Sequence, residues 1–136
     1  MSDLVDPTDL ELIELIQSPN ADDRVWAAQH LPRAGAGSLS ALRSLLDDCN
    51  RDVRGVAAQS LALARDAESM PKLLSLLDED DGQLVRPLAW AVWALASEMD
   101  DLTRERAEAS LRSLRRRGTA RVVDQVDRLL EGSSGR

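Results

Sequence analysis

The chain is short of the parts that most enzyme chemistry requires. Among 136 residues there is one histidine, His30, one cysteine, Cys49, and neither Tyr nor Phe, so the aromatic complement is Trp26, Trp90 and Trp93. A lone cysteine excludes a disulfide framework and a cysteine zinc site, and a lone histidine excludes a histidine metal cluster and the usual acid–base partnership. No metal and no cofactor is expected on that basis. Residues that favour strands are scarce too: nine Val, two Ile and three Thr stand against 23 Leu and 18 Ala, a mixture that favours helix and argues against a sizeable sheet. Lysine is nearly absent, with Lys72 beside 16 Arg, which fits a GC-rich genome and says nothing of role. No apolar run approaches 18 residues, and Met1-Ser2-Asp3-Leu4-Val5-Asp6 is acidic rather than basic, so the expectation is a cytoplasmic protein without a membrane partner.

What is present is a repeat. Leu15-Ile16 recurs as Leu45-Leu46 and Leu76-Leu77, at steps of 30 and 31 residues. Arg24-Val25-Trp26-Ala27-Ala28-Gln29-His30-Leu31 aligns with Arg54-Gly55-Val56-Ala57-Ala58-Gln59-Ser60-Leu61, and then with Arg86-Pro87-Leu88-Ala89-Trp90-Ala91-Val92-Trp93, at offsets of 30 and 32. A period near 30 with two apolar helical segments per unit predicts stacked helical hairpins.

Local signals place the helix ends. Asp6 and Pro7 suit a helix start, and Asn20 and Asn50 are placed to cap the second helices of the first two units. Asp66 to Pro71 opens the third pair, and Asp78-Glu79-Asp80-Asp81-Gly82 is its predicted internal turn. Leu102 to Arg117 forms one long charged helix, ended by Gly118, and Thr119 caps a last amphipathic helix. Charge follows this division. Residues 1–101 carry 8 basic and 19 acidic side chains, whereas residues 102–136 carry 9 and 5, which marks three acidic units and one basic terminal unit.

On Asp52-Val53-Arg54-Gly55-Val56-Ala57-Ala58-Gln59-Ser60-Leu61, Asp66 to Leu77, and Leu84-Val85-Arg86-Pro87-Leu88-Ala89, the chain resembles the HEAT-repeat family, more closely its bilin-lyase-type short repeats. The resemblance covers about residues 9–97. It implies an all-α, right-handed α-solenoid of about four stacked hairpins forming a single domain over residues 1–131. The units are about 7–35, 38–65, 68–97 and 101–131, with 132–136 as a flexible tail. It also implies a structural ladder in which Arg24, Arg54 and Arg86 pair with Asp47, Asp48, Asp78 and Asp80 of inter-helix turns. Unit one departs from the pattern with Asp23 where a Val is usual, and unit three with Trp90 and Pro87.

In such families the second helices line the concave face. Taking Val53, Ala57, Leu61 and Ala64 as core leaves Val56, Gln59 and Leu63 outward. The alignment extends these to Trp26, Gln29 and Arg33 in unit one, and to Leu88, Ala91 and Leu95 in unit three. The row Trp26/Val56/Leu88 is apolar throughout, which suits a protein-binding stripe, with Trp26 its best anchor. Trp90 and Trp93 are expected to seal unit three against the terminal unit. Arg112, Arg115, Arg116, Arg117 and Arg121 form the one basic cluster. They are candidates for anion contact, but no aromatic residues interleave for base stacking and the rest of the chain repels a polyanion, so a nucleic-acid partner is disfavoured. The acidic turns lack the ligand pattern of a calcium loop. Iron-holding relatives use paired His-Glu motifs, and His30 is followed by Leu31.

The expected function is therefore non-catalytic: a scaffold, regulator or neutraliser that binds another protein through the concave face, as a monomer or weak dimer. The alternative is an accessory lyase or chaperone of the bilin-lyase type, and a weaker one is nucleic-acid binding through the arginine cluster.

Overall fold

Two short turns, 30 residues apart, are built in the same way. Asn20 accepts the Asp22 N–H at 2.9 Å through Oδ1, and Asn50 accepts those of Asp52 and Val53 at 2.8 and 3.2 Å. Each cap satisfies donors that a helix start leaves without partners. The Asn20 N–H is itself held by the Ser18 hydroxyl at 3.1 Å, and the Asn50 N–H by the Asp48 carboxylate at 2.9 Å. Arg24 Nη1 then donates to the Ser18 carbonyl at 2.7 Å, and Arg54 Nη1 to the Asp48 carbonyl at 2.7 Å. Asp23, the departure noted in unit one, uses its carboxylate to accept the Ser18 hydroxyl at 2.8 Å, whereas its counterpart Val53 is fully buried.

The computed structural model describes residues 9–31, 38–79, 85–117 and 120–134. Every regular element among them is helical: α1 (Asp9–Leu15), α2 (Ala21–His30), α3 (Ser38–Leu45), α4 (Arg51–Leu63), α5 (Met70–Glu79), α6 (Val85–Ala96), α7 (Asp101–Arg117) and α8 (Ala120–Ser134), with a 3-10 turn over Ala67–Ser69 before α5. The fold class is all-α and HEAT-like. The chain divides into two compact units, residues 1–64 and 65–136.

In the first unit α1 pairs with α2 and α3 with α4, while α2 lies along α4 and α1 along α3. The core between them is leucine and alanine: Leu12, Ala27, Ala28, Leu31, Leu42, Leu46, Val53, Ala57 and Leu61 are all at or below 1% exposure. The alanines let the two second helices approach closely. In that seam the Ser60 hydroxyl donates to the Ala28 carbonyl at 2.8 Å. Arg24, near the start of α2, reaches Asp48, just before α4. The two contacts follow one another along both helices, so α2 and α4 run parallel.

In the second unit α5 and α6 form a hairpin, α7 packs on both, and α8 packs on α7 and α6. Its core holds Leu73, Leu77, Leu88, Ala91, Val92, Ala96, Ala107, Leu111, Leu114 and Val126. Two boundaries differ from expectation. Asp78 and Glu79 belong to α5 rather than to a turn, and α8 continues to Ser134. The tail expected from residue 132 is thus helical through Ser134. The expected start at Asp6-Pro7, the helix end at Gly118 and the cap at Thr119 lie outside the described residues.

Candidate functional site

The second helices of the first unit present one outward stripe. On α2 the buried residues Ala27, Ala28 and Leu31 define the inner face, and at 100° per residue the opposite face carries Asp22, Trp26 and Gln29. On α4 the same construction from Val53, Ala57 and Leu61 puts Asp52, Val56, Gln59 and Leu63 outward. Exposure agrees: Gln29 and Gln59 are open to solvent and Val56 is half-buried, while Trp26 is 42% and Leu63 71% exposed. Arg33 lies outside the described residues.

Trp26 is held in place although it is exposed. The His30 ring stacks on it with centroids 4.0 Å apart and planes inclined by 28°. The imidazole Nδ1–H donates to the Trp26 carbonyl oxygen at 2.8 Å, since a carbonyl can only accept. One turn of helix separates the two residues, so the stack is a local i, i+4 pair. An indole fixed this way loses little freedom when something covers it.

The three predicted stripe residues of unit three are corrected. Leu88, Ala91 and Leu95 are 1%, 0% and 5% exposed, inside the core of the second unit. Matching Arg86 to Arg54 set an offset of 32, but the buried residues of α6 fall into line with those of α4 at 31. The outward face of α6 therefore carries Pro87, Trp90 and Ala94 instead. Trp90 is 37% exposed and Trp93 half-buried, so Trp90 does not seal α6 against its neighbours. The Leu45-Leu46 to Leu76-Leu77 step has the same length, 31 residues.

Of the arginine–aspartate ladder, the pair Arg24 with Asp48 is formed, through Nε at 2.9 Å and Nη2 at 3.2 Å, with side chains only 12% and 11% exposed. Arg54 donates to the carbonyl of its own turn. Asp78 sits exposed in α5, Asp47 is exposed in its turn, and the side chains of Arg86 and Asp80 lie outside the described residues.

Two arginines of the basic cluster have local partners. Arg115 donates to Asp127 of α8 at 2.7 and 3.3 Å, and Arg112 lies 3.6 Å from Glu108 one turn earlier. The Arg115 hydrogen bond holds the Asp127 carboxyl below the usual carboxylate range, and the same bond raises Arg115 further. Arg116 is exposed, and the side chains of Arg117 and Arg121 lie outside the described residues. At the start of α7, hydrogen bonds from the Thr103 side chain and N–H lower the Asp100 carboxyl, the latter bond being 2.8 Å. Among the described residues no group of three His, Cys, Asp or Glu is placed to hold a metal ion, and no helix is long and apolar enough to cross a membrane.

Residues 10–96 match the family described as HEAT repeats, without further qualification. No curated protein and no solved structure matches the chain.

Proposed function

Because the chain belongs to the HEAT-repeat family, whose members are commonly protein-interaction scaffolds and typically non-enzymatic, we propose that it is a non-catalytic interaction module. It meets another protein through the outward stripe of α2 and α4, as a monomer or weak dimer. The observation that carries this reading is Trp26, a large aromatic left 42% exposed and braced by His30 rather than turned into the core. Exposed, rigid Trp is the residue type most enriched among interface anchors. Leu63, at 71% exposure on the neighbouring parallel helix, extends the apolar surface. Scaffold, regulator and neutraliser of a partner all use such a surface.

The test is affinity capture from extract of the native cell with the full chain and its Trp26→Asp/Leu63→Asp variant. Both side chains face solvent, so the circular dichroism spectrum is expected to be unchanged. Proteins retained by the wild type are expected to be lost with the variant, and equal recovery by a folded variant overturns the reading.

A further inference from the structure

The stripe of the first unit has a chemical order along its length. Asp22 and Asp52 occupy the second helical position of α2 and α4, 30 residues apart, and their backbone N–H groups are taken by the Asn caps. Both are exposed, and neither carboxylate has an ion pair or hydrogen bond among the described residues. One turn further on come Trp26 and Val56, then Gln29 and Gln59, whose amides are likewise exposed and uncommitted, and then Leu63. The order is acid, apolar, amide, apolar, with successive levels one helical turn apart.

That order specifies a partner. From Asp52 to Leu63 the stripe is 11 residues of helix, about 16 Å, and two packed helices have axes about 8–10 Å apart. The platform thus has the footprint of about three turns of a single helix. It offers side chains and no open strand edge, which suits an occupant whose own backbone bonds are already made. An amphipathic helix lying along the seam sets one residue per turn against each level. At the acidic end those residues must be cationic, since the first unit as a whole carries 10 acidic and 5 basic side chains. We infer that the α2–α4 stripe is a docking site for a cationic amphipathic helix of a partner protein, with Lys or Arg at Asp22 and Asp52 and apolar side chains at Trp26, Val56 and Leu63. The inference rests on the interaction reading above and adds the partner's chemistry. The footprint is smaller than that of a stable complex, so the contact is transient and depends strongly on salt.

The test uses three synthetic helix-length peptides and fluorescence anisotropy on the full chain. One peptide is an amphipathic helix of Leu and Lys, one replaces Lys by Glu, and one keeps the Lys but replaces Leu by Ser. The Leu–Lys peptide is expected to bind, the Leu–Glu peptide not at all, and the Ser–Lys peptide about tenfold more weakly. Asp22→Asn/Asp52→Asn is expected to weaken Leu–Lys binding about five- to tenfold. Glu11→Gln/Glu14→Gln, which changes net charge equally on α1, should weaken it less than about twofold. Equal loss in the two variants reduces the effect to bulk charge and overturns the inference, as does unchanged binding to Trp26→Asp/Leu63→Asp.

The same variants in the capture experiment separate the two readings. A native partner lost with Trp26→Asp/Leu63→Asp but kept with Asp22→Asn/Asp52→Asn leaves the surface standing and sinks the cationic helix, whereas a partner kept by both sinks the surface itself. Self-association in sedimentation that Asp22→Asn/Asp52→Asn abolishes assigns the stripe to a second copy and overturns the partner assignment.

Discussion

Replacing Asp48 by Ala should be among the costliest single changes in the first unit. The Arg24 side chain is only 12% exposed and makes three hydrogen bonds, two to the Asp48 carboxylate and one to the Ser18 carbonyl. Removing the carboxylate strands a mostly buried cation with one neutral partner, a situation that costs about 3–5 kcal/mol. It also frees the Asn50 N–H that the carboxylate holds at 2.9 Å, worth about 1 kcal/mol. Arg24→Met should cost about as much as losing the pair from the other side, because the Asp48 carboxylate then keeps one N–H. The double variant Arg24→Met/Asp48→Ala removes both charges and should cost far less than the sum, with a coupling of at least about 2 kcal/mol. An exposed pair would show about 0–1 kcal/mol. Urea unfolding followed by circular dichroism measures this, with Trp26 emission reporting on the first unit and Trp90 and Trp93 on the second. Against a total stability of about 5–15 kcal/mol the loss is unmistakable. If Asp48→Ala costs under about 1 kcal/mol, or the two changes simply add, the pair is not acting as a buried one and the reasoning fails.

Leu88→Ala should destabilise the second unit by about 2–5 kcal/mol, whereas Leu63→Ala, at 71% exposure, should stay within about 0.5 kcal/mol; the reverse order in urea midpoints would restore the register that places Leu88 outward. Carboxyl carbon NMR should find the Asp127 midpoint below that of an ordinary aspartate, and Arg115→Gln should bring it back up. The sign follows from linkage: the pairing stabilises the folded chain above the ordinary carboxylate range and is lost as pH falls through the lowered value of Asp127.

Much of the first unit is legible in the sequence, because its determinants are local and repeated. Asn20 and Asn50 announce their caps by residue type and position, and the polar interruption of each helix by Asp22, Gln29, Asp52 and Gln59 tells its outward face from its inner one. Trp26 is placed outward by its alignment with Val56, and the repeat carries that placement because its offset of 30 holds between the first two units. The stack of His30 on Trp26 was within reach too, since it is an i, i+4 pair, but residue type alone does not say whether two such rings meet.

The second unit shows why the rest was hidden. From Leu88 to Ala96 every residue of α6 is apolar, so no periodicity distinguishes one face from another. The remaining guide was Arg86, and aligning it with Arg54 shifted the frame by one residue, which turns a helix by about 100°. Only packing resolves the register: α6 meets α5, α7 and α8 together, and the side chains that fit between them are Leu88, Ala91, Val92 and Leu95, which leaves Trp90 outside. The sequence by itself determined the hairpin repeat, the Asn-capped starts of α2 and α4 and the outward face of those two helices, because backbone capping and hydrophobic period act over a few residues. Which carboxylate Arg24 reaches, how Ser60 pins α4 to α2, and which face of α6 is buried were decided by tertiary structure, because each depends on a neighbour 24 or more residues away or on a helix with no polar side to declare it.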